Sequence, residues 1–151
     1  MPQSLAKIYI HVVYSTKDRY PFLTDKTIRN EMHAYLGGIC NQLDCPVIII
    51  GGVADHVHQF GMLSKNISAA DFIGEVKRSS SKWVKTKDPL LRKFAWQAGY
   101  GVFSVSQSQI EAVRSYIARQ EEHHRKKSFQ DEFLLLLKKY RVEYDERYVW
   151  D

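Results

Sequence analysis

Apolar and polar positions alternate with a period of two from Leu5 to Ser15. Ile8, Ile10, Val12 and Tyr14 share one face and Tyr9, His11, Val13 and Ser15 the other. Bulky residues occupy both faces, as in a central strand. After the polar turn Thr16–Pro21 the period changes to that of a helix. Thr24 stands as its N-cap, and Ile28, Met32, Tyr35, Leu36, Ile39 and Leu43 form one stripe. The apolar run Val47–Val53, a turn at Gly51–Asp55 and a second alternating stretch, His56–Leu63, predict a hairpin. Ser68 with Asp71 makes a capping box for a second helix bearing Phe72, Ile73, Val76 and Trp83. Pro89 ends it, and Phe94–Val105 leads into a fourth strand with glycines at its start. Ser106 and Gln109 open a third helix, expected from Gln107 to about Lys127 along Ile110, Val113 and Ile117. A short helix with Phe133, Leu134 and Leu137 then precedes an aromatic tail, Tyr144, Tyr148 and Trp150.

Strand, helix, strand, strand, helix, strand is the order of a ferredoxin-like or RRM-like split βαβ unit. The expected fold class is α+β, an antiparallel sheet with helices on one face and the other face open, followed by a C-terminal helix. In that topology the first and third strands are central neighbours. If Ile8, Ile10 and Val12 face the helices, His11 emerges on the open face near His56 and His58. Gln59 falls on the helix side beside Val57, where an unpaired amide would be costly.

At 151 residues, 44% hydrophobic and 26% charged, the chain suits one globular domain, 1–151. No apolar run approaches the roughly 18 residues that span a bilayer, and the first residues lack a signal-like pattern, so no membrane role and a cytoplasmic location are expected. Cys40 and Cys45 read as buried free thiols. A net charge of +5 permits an anionic partner such as nucleic acid without requiring one. A basic stripe on the second helix, Lys77, Arg78, Lys82, Lys85 and Lys87, is either a solvated face or a phosphate-binding surface.

The candidate chemistry centres on Asp55-His56-Val57-His58-Gln59-Phe60. Two imidazoles on one side of a strand can hold a divalent cation and leave positions for a third ligand and a substrate oxygen. Tyr116 and Gln120, four apart, lie together beside the apolar line of the third helix.

The His-Val-His strand, the later Tyr116-Ile117-Ala118-Arg119-Gln120 and the strand Trp96–Val105 together resemble the HUH single-tyrosine transposases of the smallest insertion sequences and their REP-associated relatives. The resemblance runs from Ile8 to the Tyr148-Val149-Trp150 tail. It implies a metal-dependent DNA strand transferase. Tyr116 would be the nucleophile that forms a 5′-phosphotyrosine, and His56, His58 and Gln120 would hold Mg²⁺ or Mn²⁺. Its partner would be single-stranded DNA with hairpins. It also implies a homodimer in which the tyrosine helix acts in trans, with a hinge near Ser104–Ser108. Expected DNA contacts are His11, Lys17, Arg19, Lys77, Arg78, Lys82, Lys85, Arg92 and Lys93, with Tyr9, Phe60 and Trp83 as stacking platforms. His123 and His124, beside Arg125-Lys126-Lys127, read as surface residues near phosphate.

Three other readings compete. A domesticated transposase processing chromosomal repeat hairpins would keep the chemistry. A replication initiator or relaxase would carry its tyrosine in another context with extra domains. A non-catalytic RRM-like binder would want exposed aromatics where this chain has His11, His56 and His58.

Overall fold

A computed structural model describes residues 2–151. Four antiparallel strands, β1 (Tyr9–Ser15), β2 (Val47–Gly52), β3 (His56–Met62) and β4 (Gly101–Val105), lie in the order β2-β3-β1-β4. This is the expected split βαβ sheet. Strand β1 begins at Tyr9, later than the pattern suggested, because pairing partners begin there: Met62 of β3 and Val105 of β4 stand opposite Tyr9. Leu5 remains exposed.

Two helices, α1 (Lys26–Gln42) and α2 (Ala69–Val84), cover one face. Ile10, Val12, Tyr14 and Val57 meet Met32, Leu36, Phe72, Ile73 and Val76 there. The N-cap of α1 is Asp25 and not Thr24. The Asp25 carboxylate accepts from Thr27 N at 2.8 Å and Ile28 N at 3.2 Å, while the Thr24 hydroxyl donates back to the Pro21 carbonyl. Gln59 does lie on this face, but its amide is satisfied. Tyr14 OH donates to Gln59 Oε1, and Gln59 Nε2 donates to Cys40 Sγ at 3.4 Å. Both cysteines are free and buried, and burial pushes the Cys40 thiol up to about 12.

The opposite face is not open. Three further helices, α3 (Ile110–Ala118), α4 (Gln120–His123) and α5 (Phe129–Lys139), follow β4. Ile117 of α3 packs with Phe60 and Val105. Phe129, Phe133 and Leu137 of α5 bury Val13 and Phe103. Each such side chain, once buried, contributes about 1.5–3 kcal/mol. The aromatic tail closes over them: Trp150 packs against the Phe133 ring, Gly99 N donates to the Asp151 carbonyl at 2.8 Å, and Arg19 donates to the Trp150 carbonyl at 2.9 Å. The expected long third helix is broken at Arg119 (φ −105, ψ 25), so Tyr116 and Gln120 sit on either side of a bend. Among the described residues no helix is long and apolar enough to cross a membrane.

Close approach of these helices to the sheet uses two glycines. A Cβ on Gly51 would lie 2.7 Å from the Ile117 carbonyl oxygen, and one on Gly101 would lie 2.6 Å from the Phe133 ring. Because the first obstacle is backbone, Gly51→Ala must push α3 off β2. The expected cost is about 1–3 kcal/mol of stability in chemical denaturation, with near-native secondary structure by circular dichroism.

Candidate active site

Strand β3 delivers His56 and His58 to the same face, the alternation placing Val57 in the core between them. Both imidazoles are fully buried. Asp55 precedes the strand, and its Oδ1 accepts from His56 Nδ1 at 2.7 Å, which turns Nε2 toward the centre of the cluster. His11 emerges beside His58 as expected, with Nε2 2.7 Å from His58 Nδ1 and the two rings stacked.

Helices on the far side supply the rest. Tyr116, at the end of α3, is half-buried, and Gln120 opens α4 after the bend. Glu132 of α5, only 2% exposed, stands between them and the histidines. His58 Nε2 donates to Glu132 Oε1 at 2.9 Å, and His56 Nε2 lies 3.4 Å from the same oxygen. Glu132 Oε2 accepts from Tyr116 OH and, at 3.2 Å, from Gln120 Nε2. His124 Nε2 lies 3.2 Å from that oxygen. Gln120 Oε1 is 3.2 Å from His56 Nε2 and 3.0 Å from His124 Nε2. Ligand atoms from His56, His58, His124 and Glu132 all fall within 4.8 Å of one another, an arrangement compatible with a metal site.

Charge follows these contacts. Burial acts to lower His56, but hydrogen bonds and charge from Asp55 and Glu132 outweigh it and raise the ring to about 9. His58 lacks the Asp55 partner, and there burial prevails and lowers it. Burial and the neighbouring His58 hold His11 well below the usual imidazole range. For Glu132, burial disfavours the charge, yet hydrogen bonds from His124, His56 and His58 drive it far below the carboxylate range, so it is ionised. Burial and the Glu132 charge push the Tyr116 phenol above its ordinary value.

Three expected site residues, His56, His58 and Gln120, therefore converge with Tyr116, and His11 adjoins them. Two members of the cluster escaped sequence reasoning. His124 was expected at the surface, yet its side chain is nearly buried. The repeated spacing of four through Tyr116, Gln120 and His124 was the available signal. Glu132 lies on the stripe of Phe129, Phe133 and Leu137, so a carboxylate interrupts an otherwise apolar face.

The expected basic contacts are not brought to this cluster. Lys77, Arg78 and Lys82 ride on α2 and Lys85 caps its C-terminus, across the sheet from the histidines. Lys77 Nζ is spent on the carbonyls of Gln97 (2.9 Å), Ala98 (3.3 Å) and Gly99 (2.6 Å), and Arg78 pairs with Glu75. Arg19 holds the tail, while Lys17, Arg92 and Lys93 are exposed. Phe60 is buried, Trp83 stacks on Tyr35 with Lys87 Nζ 5.0 Å from its ring centroid, and Tyr9 is partly buried against Phe60. A cleft of about 400 Å³ instead reaches Tyr116 and Glu132 between Arg119, Lys127 and Lys139. The wider groove of about 790 Å³ along the outer side of α5, between Leu134 and Tyr144, touches none of the histidines. Within one chain Tyr116 already lies against its own His58, ring centroids 5.8 Å apart, so the expected exchange of helices is not needed to assemble the cluster.

A split βαβ sheet with a His-x-His strand facing a helix-borne tyrosine defines the HUH single-tyrosine class. Residues 4–120 match the family described as "Transposase IS200 like", and the chain belongs to that family. Its fold is similar to the crystal structure of a candidate transposase from Deinococcus radiodurans R1, with 22% identity and a TM-score of 0.61, covering 80% of this chain and 95% of that one. A REP-associated tyrosine transposase bound to a REP hairpin is also similar in fold. It shows 11% identity and a TM-score of 0.60, covering 82% of this chain and 73% of that one. Among curated proteins no relative matches significantly.

A base raised from 6.5 to about 9 on folding stabilises the folded state fully below pH 6.5 and loses that contribution as pH rises through 9. Metal-free protein is therefore expected to lose stability between pH 6.5 and about 9. Urea midpoints across that window should fall more steeply for wild type than for Asp55→Asn, which removes the partner of His56 Nδ1.

Proposed function

We propose that this transposase cleaves and rejoins single-stranded DNA through a tyrosine linkage, with Tyr116 as nucleophile and a divalent cation, Mg²⁺ or Mn²⁺, held by His56, His58 and Gln120. The observation that carries the reading is the approach of Tyr116 to the buried histidine pair at the end of a cationic cleft. Family membership supports the strand-transfer reaction, and the similar fold found on a REP hairpin supports a hairpin-bearing substrate.

The chain's own groups divide the work. Arg119, Lys127 and Lys139 bring the phosphodiester to the cleft that Tyr116, half-buried, helps to line. Tyr116 OH donates to Glu132 Oε2, so the phenol proton has an acceptor as the oxygen attacks phosphorus. The new bond joins the tyrosine oxygen to the 5′ phosphate. The P–O3′ bond breaks, and the 3′ oxygen leaves with the electron pair and takes up a proton. A cation, when bound, neutralises charge building on the phosphate oxygens. The covalent link conserves the bond energy, so a different 3′-OH can reverse the step and restore the phenol.

We place nucleophile and histidines in the same chain. Tyr116 hydrogen-bonds to Glu132 of its own α5, and α3 is packed on its own β2 through Ile117 and Gly51. A homodimer exchanging tyrosine helices remains the competing form. The buried sheet face argues against an RRM-like binder, which needs that face for bases.

Purified protein with Mn²⁺ and labelled hairpin-bearing single-stranded DNA from the gene's flanks is expected to give a covalent adduct on a denaturing gel. Tyr116→Phe, His56→Ala and chelation should each remove it. An adduct that survives Tyr116→Phe overturns the nucleophile. Mixing Tyr116→Phe with His56→Ala chains should leave activity absent, whereas restored cleavage would establish exchange between chains.

A further inference from the structure

His124 and Glu132 touch the proposed cation ligands, and both lie past residue 120, where the family match ends. Their geometry decides what they do. Asp55 takes the Nδ1 hydrogen of His56, so Nε2 is the nitrogen that the ring turns inward, toward Gln120 Oε1 at 3.2 Å and Glu132 Oε1 at 3.4 Å. His124 repeats the arrangement. Its Nδ1 donates to the Lys127 carbonyl at 2.6 Å, which aims Nε2 at Gln120 Oε1, 3.0 Å away, and Glu132 Oε2, 3.2 Å away. The Gln120 amide nitrogen is already used on Glu132 Oε2.

Two ring nitrogens, an amide oxygen and a buried carboxylate thus converge on one point, and ligand atoms of His56, His58, His124 and Glu132 lie within 4.8 Å of one another. Inward-facing imidazoles around one carboxylate are a donor set that a divalent cation takes from a protein, displacing the ring protons as it binds. His58 can join without a clash. Its Nδ1 lies 2.7 Å from His11 Nε2, and with the hydrogen of that contact on His58 Nδ1, its Nε2 is free to bind a cation in place of its hydrogen bond to Glu132.

We infer that Glu132 and His124 are ligands of the same cation as His56, His58 and Gln120, so that α5 completes the metal site from outside the matched segment. The inference rests on the metal reading above and enlarges its ligand set. It also changes the expected ion. Three imidazoles, an amide oxygen and one carboxylate suit Mg²⁺ poorly, since it prefers oxygen ligands and water, and of the two ions named above leave Mn²⁺, which accepts mixed nitrogen and oxygen ligands, as the better fit.

The test is Mn²⁺ binding to metal-stripped full-length protein, followed by electron paramagnetic resonance of the free ion and by competition with Mg²⁺, without DNA. Glu132→Gln and His124→Asn are each expected to weaken Mn²⁺ at least about tenfold. Mg²⁺ should compete poorly with Mn²⁺ for the wild-type site. Dissociation constants within twofold of wild type for Glu132→Gln and His124→Asn, with binding lost in His56→Ala, would overturn the inference and leave the proposed function standing. Absence of Mn²⁺ binding by wild type would overturn both this inference and the metal part of that function, while the Tyr116 adduct still tests the nucleophile separately. Because Glu132 is buried, a measurement without substitutions is paired with these. Nitrogen couplings to bound Mn²⁺ in wild type should count three imidazoles, and a count of two would exclude His124.

Discussion

One buried negative charge holds the site together. The Glu132 carboxylate, nearly sealed from solvent, accepts from His58, Gln120 and Tyr116 and adjoins the inward nitrogens of His56 and His124. A carboxylate in such surroundings is tolerated only when opposite charge or several donors surround it. Every element of the site is therefore constrained through it. β3 must present both histidines on one face, α3 must end where the phenol can reach, and α5 must dock at the register that puts Glu132 between them.

Packing fixes that register from the other side. Phe129, Phe133 and Leu137 flank Glu132 on α5 and lie against Val13 and Phe103 of the sheet, and the tail secures them through Trp150. Gly101 leaves room for the Phe133 ring, and Gly51 lets the Ile117 backbone rest on β2. Apolar contacts thus set the position to which the polar network is matched. The bend at Arg119 belongs to the same solution, since it redirects the chain so that Gln120 and His124 both face His56.

The sheet and its strand order were legible because each strand carries a clear alternation and each crossover helix a continuous apolar stripe. His56, His58 and Tyr116 were legible because alternation fixes a face and the resemblance supplies the partner motif. Thr24 was preferred over Asp25 as a cap because both residue types suit the position, and backbone geometry alone separates them. The bend at Arg119 has no proline or glycine to announce it. The distance of the basic residues of α2 from the histidines was not legible for a different reason: a charge stripe shows that a helix face is polar, not which side of the sheet the helix covers. Lys77 is held by backbone carbonyls, a fate that composition does not reveal.

Glu132 was the most consequential omission, and its cause is physical. A charged residue in the middle of an apolar helix stripe is ordinarily read as the edge of that stripe, because burying it alone is costly. Here the cost is offset by groups from β3 and the segment Tyr116–His124, none of them near it in sequence except through the fold. An acidic residue on a buried face, combined with unplaced histidines elsewhere in the chain, is thus a joint signal where each part alone is uninformative. The matched segment contains the histidine pair, the tyrosine and Gln120, but the charge that organises them comes from beyond its end. Loss of α5 would consequently do more than uncover a sheet: it would leave the inward-facing nitrogens of His56 and His124 without the carboxylate that orders them.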